Sequence, residues 1–255
     1  MCLLAVAWKV HPDYPLAVCA NRDEFYARPT QAAHFWSDFP DIYAGRDLQA
    51  GGSWMGINQK GRFAAVTNIR NPASNRNDAK SRGGLVSEFL NQDTTSIDYC
   101  NKLQLQGECY NGYNFLAFDG DSLVYQSNGV EQPQILQPGI YGLSNAKLNT
   151  PWPKTSSAIN KLREWVNNPN SVDQLAQLLN DRHIVSDDRL PETGVSLTLE
   201  RMLSAEFINS AEYGTRCSTG FLVHQSGEAE YCEISHAESA GKSQQRVEHY
   251  LPAQK

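Results

Sequence analysis

Cys2 follows the initiator methionine, and a penultimate side chain this small lets methionine aminopeptidase remove Met1. A thiol and a free α-amino group would then share one residue. That amine, with a reference pKa of about 7.7–8.0, can take the thiol proton near neutral pH without a histidine partner. The plainer reading is a small apolar residue at the start of a strand. The second feature is the run Asn21-Arg22-Asp23-Glu24, four polar residues directly after the apolar run Leu16-Ala-Val-Cys-Ala20. Alone, such a run is a solvated turn. If the flanking runs form a hairpin, its end returns beside Cys2. An arginine there would lower the thiol pKa, and a carboxylate would hold the α-amino group.

Asn68 follows the run Phe63–Thr67, and Asn145 follows Tyr141-Gly-Leu-Ser144. Amide donors at strand ends can build an oxyanion hole. Arg216, in Tyr213-Gly-Thr-Arg216, could bind a carboxylate or steady Cys2. Taken singly, each of these is equally a turn-capping amide or a surface charge. Phe25 and Tyr26, with Trp8 and Trp54, are aromatic candidates for a pocket wall, against a core role for the two tryptophans. The histidines at 11, 34, 183, 224, 236 and 249 lack an Asp or Ser at triad spacing. A lone histidine or tyrosine, or Cys2, could ligate haem iron, and nothing ranks them.

These groups need elements to position them. Cys2, Leu4, Val6 and Trp8 alternate with Leu3, Ala5 and Ala7, so the first strand is apolar on both faces. His11-Pro-Asp-Tyr-Pro15 turns it into Leu16–Ala20. Further hairpins are expected at Trp54–Ile57 with Phe63–Thr67, at Phe115–Phe118 with Leu123–Tyr125, and at Gly220–His224 with Ala229–Ile234. Helical stripes fall at Leu85, Val86, Phe89 and Leu90, and at Ile97, Cys100 and Leu103. Two more fall at Ile159, Leu162, Trp165 and Val166, after Pro153, and at Val172, Leu175, Leu178 and Leu179, where Ser171 and Gln174 fit a capping box. A short helix is expected from Glu200 to Ile208. Strands at both ends around helical segments predict an α+β fold, mostly antiparallel sheets with helices outside, in one domain over 1–255.

Composition narrows the function classes. Lys plus Arg is 22 against 28 for Asp plus Glu, a net charge of −6 that argues against a general nucleic-acid partner. No apolar run approaches the roughly 20 residues of a membrane span. The apolar start is broken by Lys9 and lacks a basic lead, so a cytoplasmic location is expected. The six cysteines form no CxxC pair and no Cys/His cluster at zinc spacing, so no metal site is expected and the thiols are expected reduced. GxxxxGK[ST] and GxGxxG are absent, which removes the nucleotide-fold readings.

The segment Ala20-Asn-Arg-Asp-Glu-Phe-Tyr-Ala-Arg-Pro-Thr30 resembles the signature of the NRDE family, the family of transport and Golgi organisation protein two. The resemblance continues through Ala50–Ile57, Gly61–Asn68, Arg82-Gly-Gly-Leu-Val86, Tyr110–Phe115, Tyr141–Ala146 with Thr150-Pro-Trp152, and Tyr213–Arg216. It implies the four-layer αββα sandwich of N-terminal nucleophile hydrolases, nearest to the bile acid hydrolases and penicillin V acylases. It implies catalytic roles for Cys2, Arg22, Asp23, Asn145 and Arg216, with Asn145 as the oxyanion asparagine. Asn21, Glu24, Phe25, Tyr26 and Asn68 are the expected ligand contacts. In the bile acid hydrolases the aspartate follows the arginine by three positions, where this chain has Phe25, so Asp23 and Glu24 are both candidates to hold the amine. Two function classes follow. One is a cysteine amidohydrolase or thioesterase acting on an acyl amide or acyl-coenzyme A. The other is a carrier without turnover, with haem as cargo; neither needs a resident cofactor.

Overall fold

Strand β1 (Cys2–Trp8) turns Leu4, Val6 and Trp8 into one core and Leu3, Ala5 and Ala7 into another, the two-sided burial its alternation predicts. The structure, a computed structural model, describes residues 2–236 and 244–250. β2 (Leu16–Phe25) returns antiparallel, with Leu16 opposite Trp8 and Arg22 opposite Cys2.

The strand does not stop at Ala20. It runs on through Asn21-Arg22-Asp23-Glu24, a run that taken alone reads as a solvated turn and that the hairpin topology puts beside Cys2. Two neighbours pair with this stretch, β1 on one side and a late strand on the other. Its backbone groups are therefore satisfied by the ladder, and Asn21, Arg22 and Asp23 are buried with polar partners.

The chain continues through β3 (Thr30–Phe35), β4 (Ile42–Asp47), β5 (Met55–Asn58) and β6 (Phe63–Asn68). Helices α1 (Gly83–Asn91) and α2 (Ser96–Gln104) lead to β7 (Tyr113–Phe118), β8 (Leu123–Ser127), β9 (Gln134–Ile135) and β10 (Gly139–Leu143). Next come α3 (Pro153–Asn167), α4 (Val172–Ala176) and α5 (Leu197–Leu203), then β11 (Tyr213–Val223), β12 (Ala229–Ser235) and β13 (Gln244–Tyr250). One sheet has the order β10-β1-β2-β11-β12-β13, the other β3-β4-β5-β6-β7-β8-β9. Every strand pairing in both is antiparallel.

Three apolar cores define four layers. Leu4, Val6, Trp8 and Phe221 of the first sheet meet Phe63, Leu116 and Phe118 of the second, and the Phe63 and Phe221 rings stack at 5.2 Å. Leu85, Phe89 and Leu103 of α1 and α2 cover the outer face of the second sheet. Leu162 and Trp165 of α3 and Leu175 of α4 cover the outer face of the first. The architecture is the αββα sandwich expected. No helix among the described residues is long and apolar enough to cross a membrane.

Helix ends depart from the sequence reading in two places. α4 ends at Ala176, so Leu178 and Leu179 lie past it, although Leu179 still packs into the same core. α5 starts at Leu197 rather than at Glu200 and stops before Ile208. The Ser196 side chain accepts the Leu199 N–H and fixes that start.

Candidate functional site

Alternation along two paired strands divides the site between the two faces of one sheet. Cys2 and Arg22 line a cleft of about 500 Å³ at the end of the sandwich, together with Trp54 and Asn68. Asn21 and Asp23, one residue out of phase with Arg22, carry side chains that bond toward the helix side.

Arg22 is almost fully buried, donates to the Thr30 hydroxyl at 3.1 Å, and lies over the Trp54 ring at 4.1 Å. This fixes the guanidinium beside Cys2. Burial pushes the Cys2 thiol up, and the Asp23 charge adds to that; Arg22 and the Asp23 backbone N–H pull it back down without winning. Arg22 thus acts on the thiol in the expected direction. Desolvation outweighs it, and the thiol needs a base.

The Asp23 carboxylate accepts the Thr215 hydroxyl at 2.7 Å, and the same hydroxyl accepts the Ile208 N–H at 2.9 Å. Burial pushes the Asp23 carboxyl up, while Lys154, Thr215 and Arg70 draw it down. Lys154 is buried at the start of α3, and burial lowers its ammonium to about 8 against the pull of Asp23. Arg70 and Glu200 form a buried ion pair of 2.9 Å next to this group.

Asn145 is buried. Its amide N–H donates to the Asn68 carbonyl at 2.8 Å, and its Oδ1 faces Arg70 at 3.4 Å. Ser144, beside it, donates to the Cys2 carbonyl at 3.2 Å, so the Asn145 loop is tied to both Cys2 and Asn68.

Other sequence-predicted residues lie elsewhere. Asn21 donates to the carbonyls of Leu179 and Glu206 at 2.6 and 2.9 Å and accepts from Ser218, which pins the loop carrying Leu179 rather than facing the cleft. Glu24 lines the cleft, with one oxygen accepting the Phe25 N–H. Phe25 is exposed and edge-on to Tyr213, and Tyr26 reaches toward Asn209; neither lines the cleft. Arg216 sits where β11 shifts register against β2, and donates to the carbonyls of Phe25, Tyr26 and Arg28 at 2.8–3.1 Å. It clamps the chain leaving β2. Trp8 is a core residue at the far end of β1, about 20 Å along the strand from Cys2, and its indole donates to Leu136. A larger groove of about 1100 Å³ opens at that far end around Trp8, Phe118 and His224.

Several groups went unread in the sequence. Arg28, Arg76, Lys80 and Arg82 join Arg22 on the cleft wall, against the acids Glu24 and Asp47. Burial lowers the Arg82 guanidinium, and the Cys2 and Glu24 charges raise it again. Arg28 is paired with Asp47 at 2.7 Å. Lys154 lies two residues beyond the Thr150-Pro-Trp152 block, which was the one signal that could have found it. Glu200 carried none. Among the described residues no group of three His, Cys, Asp or Glu side chains could hold a metal ion.

The structure is similar to that of a Caenorhabditis elegans N-acylethanolamine-hydrolyzing acid amidase ortholog, with a TM-score of 0.50 and 10% identity, covering 86% of this chain and 92% of that one. The likeness is one of fold alone, an N-terminal nucleophile hydrolase-like αββα sandwich. The chain is 37% identical over 257 residues to the Bos taurus Transport and Golgi organization protein 2 homolog, covering 92% of this chain and 93% of that protein. It is 35% identical over 257 residues to the Homo sapiens homolog, with the same coverage of 92% and 93%. With the family model for Transport and Golgi organisation 2 matching residues 1–238 as well, the chain belongs to that family.

Proposed function

We propose that Cys2 is the nucleophile of an acyl-transfer site, and that the chain is a cysteine amidohydrolase or thioesterase for an acyl compound with an anionic end, such as an acyl-coenzyme A. The carrying observation is the cross-strand pair of Cys2 and Arg22 on the wall of a cleft that also holds Arg28, Arg76, Lys80 and Arg82. The cations suit a phosphate or carboxylate, and Cys2 sits where that ligand's carbonyl would lie.

Burial leaves Cys2 without a resident thiolate, so the reaction needs a base at the thiol. Removal of Met1 supplies one. The Cys2 amine takes the thiol proton, sulfur attacks the acyl carbon, and the departing amine or thiol collects that proton. Water then cleaves the acyl–sulfur bond and restores Cys2. The fold hosts amide hydrolysis in the nematode amidase, an analogy of reaction class alone. The carrier reading draws less support, because among the described residues the cleft lining holds no histidine or tyrosine to accompany Cys2 as an iron ligand.

The test is Cys2→Ala, with turnover and affinity measured for a long-chain acyl-coenzyme A and for haemin. Turnover lost at unchanged acyl-coenzyme A affinity is the expected result, since the nucleophile acts mainly in the transition state. Undiminished hydrolysis in Cys2→Ala overturns the proposal. Stoichiometric haemin binding that depends on Cys2, without hydrolysis by wild type, moves the protein to the carrier class.

A further inference from the structure

We infer that Ser144 is a positioning residue of the Cys2 site: its hydroxyl holds the Cys2 peptide, and with it the thiol, in fixed register with the loop that carries Asn145. The inference rests on the proposed role of Cys2 as nucleophile.

β10 pairs with β1 only from Leu4, which lies opposite Leu143, so the ladder on that side does not reach Cys2. On the other side Cys2 is paired with Arg22. A chain end paired on one side alone frays unless something ties it down. Ser144, the first residue past β10, supplies the tie, since its hydroxyl donates to the Cys2 carbonyl at 3.2 Å. The Asn145 Oδ1 is a second acceptor for that hydroxyl, at 3.4 Å, and it already faces Arg70.

Ser144 is itself held from the second sheet. Its carbonyl accepts the Thr67 hydroxyl of β6 at 2.6 Å. That hydroxyl accepts from the Asn114 amide of β7 at 3.1 Å, and the same amide donates to the Ala146 carbonyl at 2.8 Å. The Asn114 Oδ1 accepts the Tyr125 hydroxyl of β8 at 2.8 Å. Thr67, Asn114, Tyr125 and Ser144 are all buried. Elsewhere the two sheets meet through apolar side chains such as Leu4, Val6, Phe63 and Phe118. A polar chain between sheets is costly unless its members are paired, and here each hydroxyl and amide has its partner. The chain lies at the Cys2 end, where Thr67 precedes Asn68 and Ser144 precedes Asn145. It therefore locks the nucleophile to both asparagine-bearing segments, and a misplacement of about 1 Å in such a group costs about 100-fold in rate.

The experiment takes full-length protein whose intact mass begins at Cys2 and makes two measurements on that residue by peptide mass spectrometry. One is labelling by iodoacetamide, the other acyl transfer from a long-chain acyl-coenzyme A. In Ser144→Ala the freed Cys2 leaves its desolvated place, so its labelling should rise about tenfold, the gain in thiolate for one pKa unit. Acyl transfer should fall by about 10- to 100-fold, because the attack geometry is lost. Both opposite changes should return to wild type in Ser144→Thr, which keeps the hydroxyl. Cys19, buried on β2, is the reference for general loosening and should stay unlabelled. Thr67→Val, which leaves the Ser144 carbonyl without its donor, is read in the same way if Ser144→Ala does not fold. Unchanged Cys2 labelling, equal labelling of Cys19, or acyl transfer at the wild-type rate overturns the inference. If wild type takes up no acyl group, the nucleophile reading falls instead, and the labelling alone decides whether Ser144 holds Cys2.

Discussion

Cys2 and Arg22 stand directly opposite each other on neighbouring antiparallel strands, so their side chains rise from the same face of the sheet. Asp23, the next residue, opposes Thr215 of β11 and bonds to it on the other face. The sheet therefore separates a cleft half, with thiol and guanidinium, from a helix half, with carboxylate and ammonium. The end of β1, where the Cys2 amine lies in the proposed mature chain, is where the two halves meet.

Arg22→Ala should slow alkylation of Cys2 about tenfold near neutral pH, because one pKa unit on the thiol is a tenfold loss of thiolate. Rates measured alongside the exposed thiol of Cys109 isolate the effect. Equal slowing at both cysteines would place the cause outside the Arg22 contact.

Gly45→Ala should disturb the same guanidinium from a distance. A Cβ at Gly45 would lie 2.2 Å from the Trp54 ring, so the indole must leave its place over Arg22. The lost cation–π contact is worth about 0.5–2 kcal/mol, and urea unfolding should show at least that. Wild-type stability in this variant would mean that Trp54 moves freely and does not anchor Arg22.

Arg70→Met should destabilise the fold by about 3–5 kcal/mol, since it strands Glu200 as a buried charge without its partner. Arg70→Met combined with Glu200→Leu should recover most of that loss. If the double variant is as unstable as the sum of the single ones, the two residues do not act as a pair.

Lys154 gives a pH signature in stability. Its ammonium is lowered from 10.5 to about 8 in the fold, so the folded state disfavours the charged form. That penalty is fully present below pH about 8 and disappears as pH rises toward 10.5, where the unfolded chain's lysine also loses its proton. Wild type should therefore gain about 3 kcal/mol relative to Lys154→Met across that window. Parallel stability curves for the two proteins would show that Lys154 is not charged and desolvated in the fold.

Much of the fold was legible because alternation is a direct consequence of strand geometry. Leu4, Val6 and Trp8 against Leu3, Ala5 and Ala7 announced a sheet covered on both sides, and that is how β1 is buried. Taken alone, the polar run misled because burial of Asn21, Arg22 and Asp23 depends on partners more than 150 residues away for two of them, Leu179 with Glu206 and Thr215. No local pattern encodes those. Cys2 beside Arg22 was legible from hairpin topology, whereas the contribution of Lys154 and Glu200 was not, since each reaches the site only through tertiary packing. Arg216 was visible as a charge but not as a clamp on three carbonyls, which requires the bulge in β11.

Transfer of an acyl group to Cys2 is measured directly by intact mass. Full-length protein beginning at Cys2 is mixed with a long-chain acyl-coenzyme A, quenched in acid and weighed, then digested to locate the addition. One acyl group is expected on residue 2, absent in Cys2→Ala and diminished in Arg22→Ala. Unmodified Cys2 under conditions in which the protein consumes the acyl-coenzyme A, or an acyl group carried equally by Cys109, would contradict it.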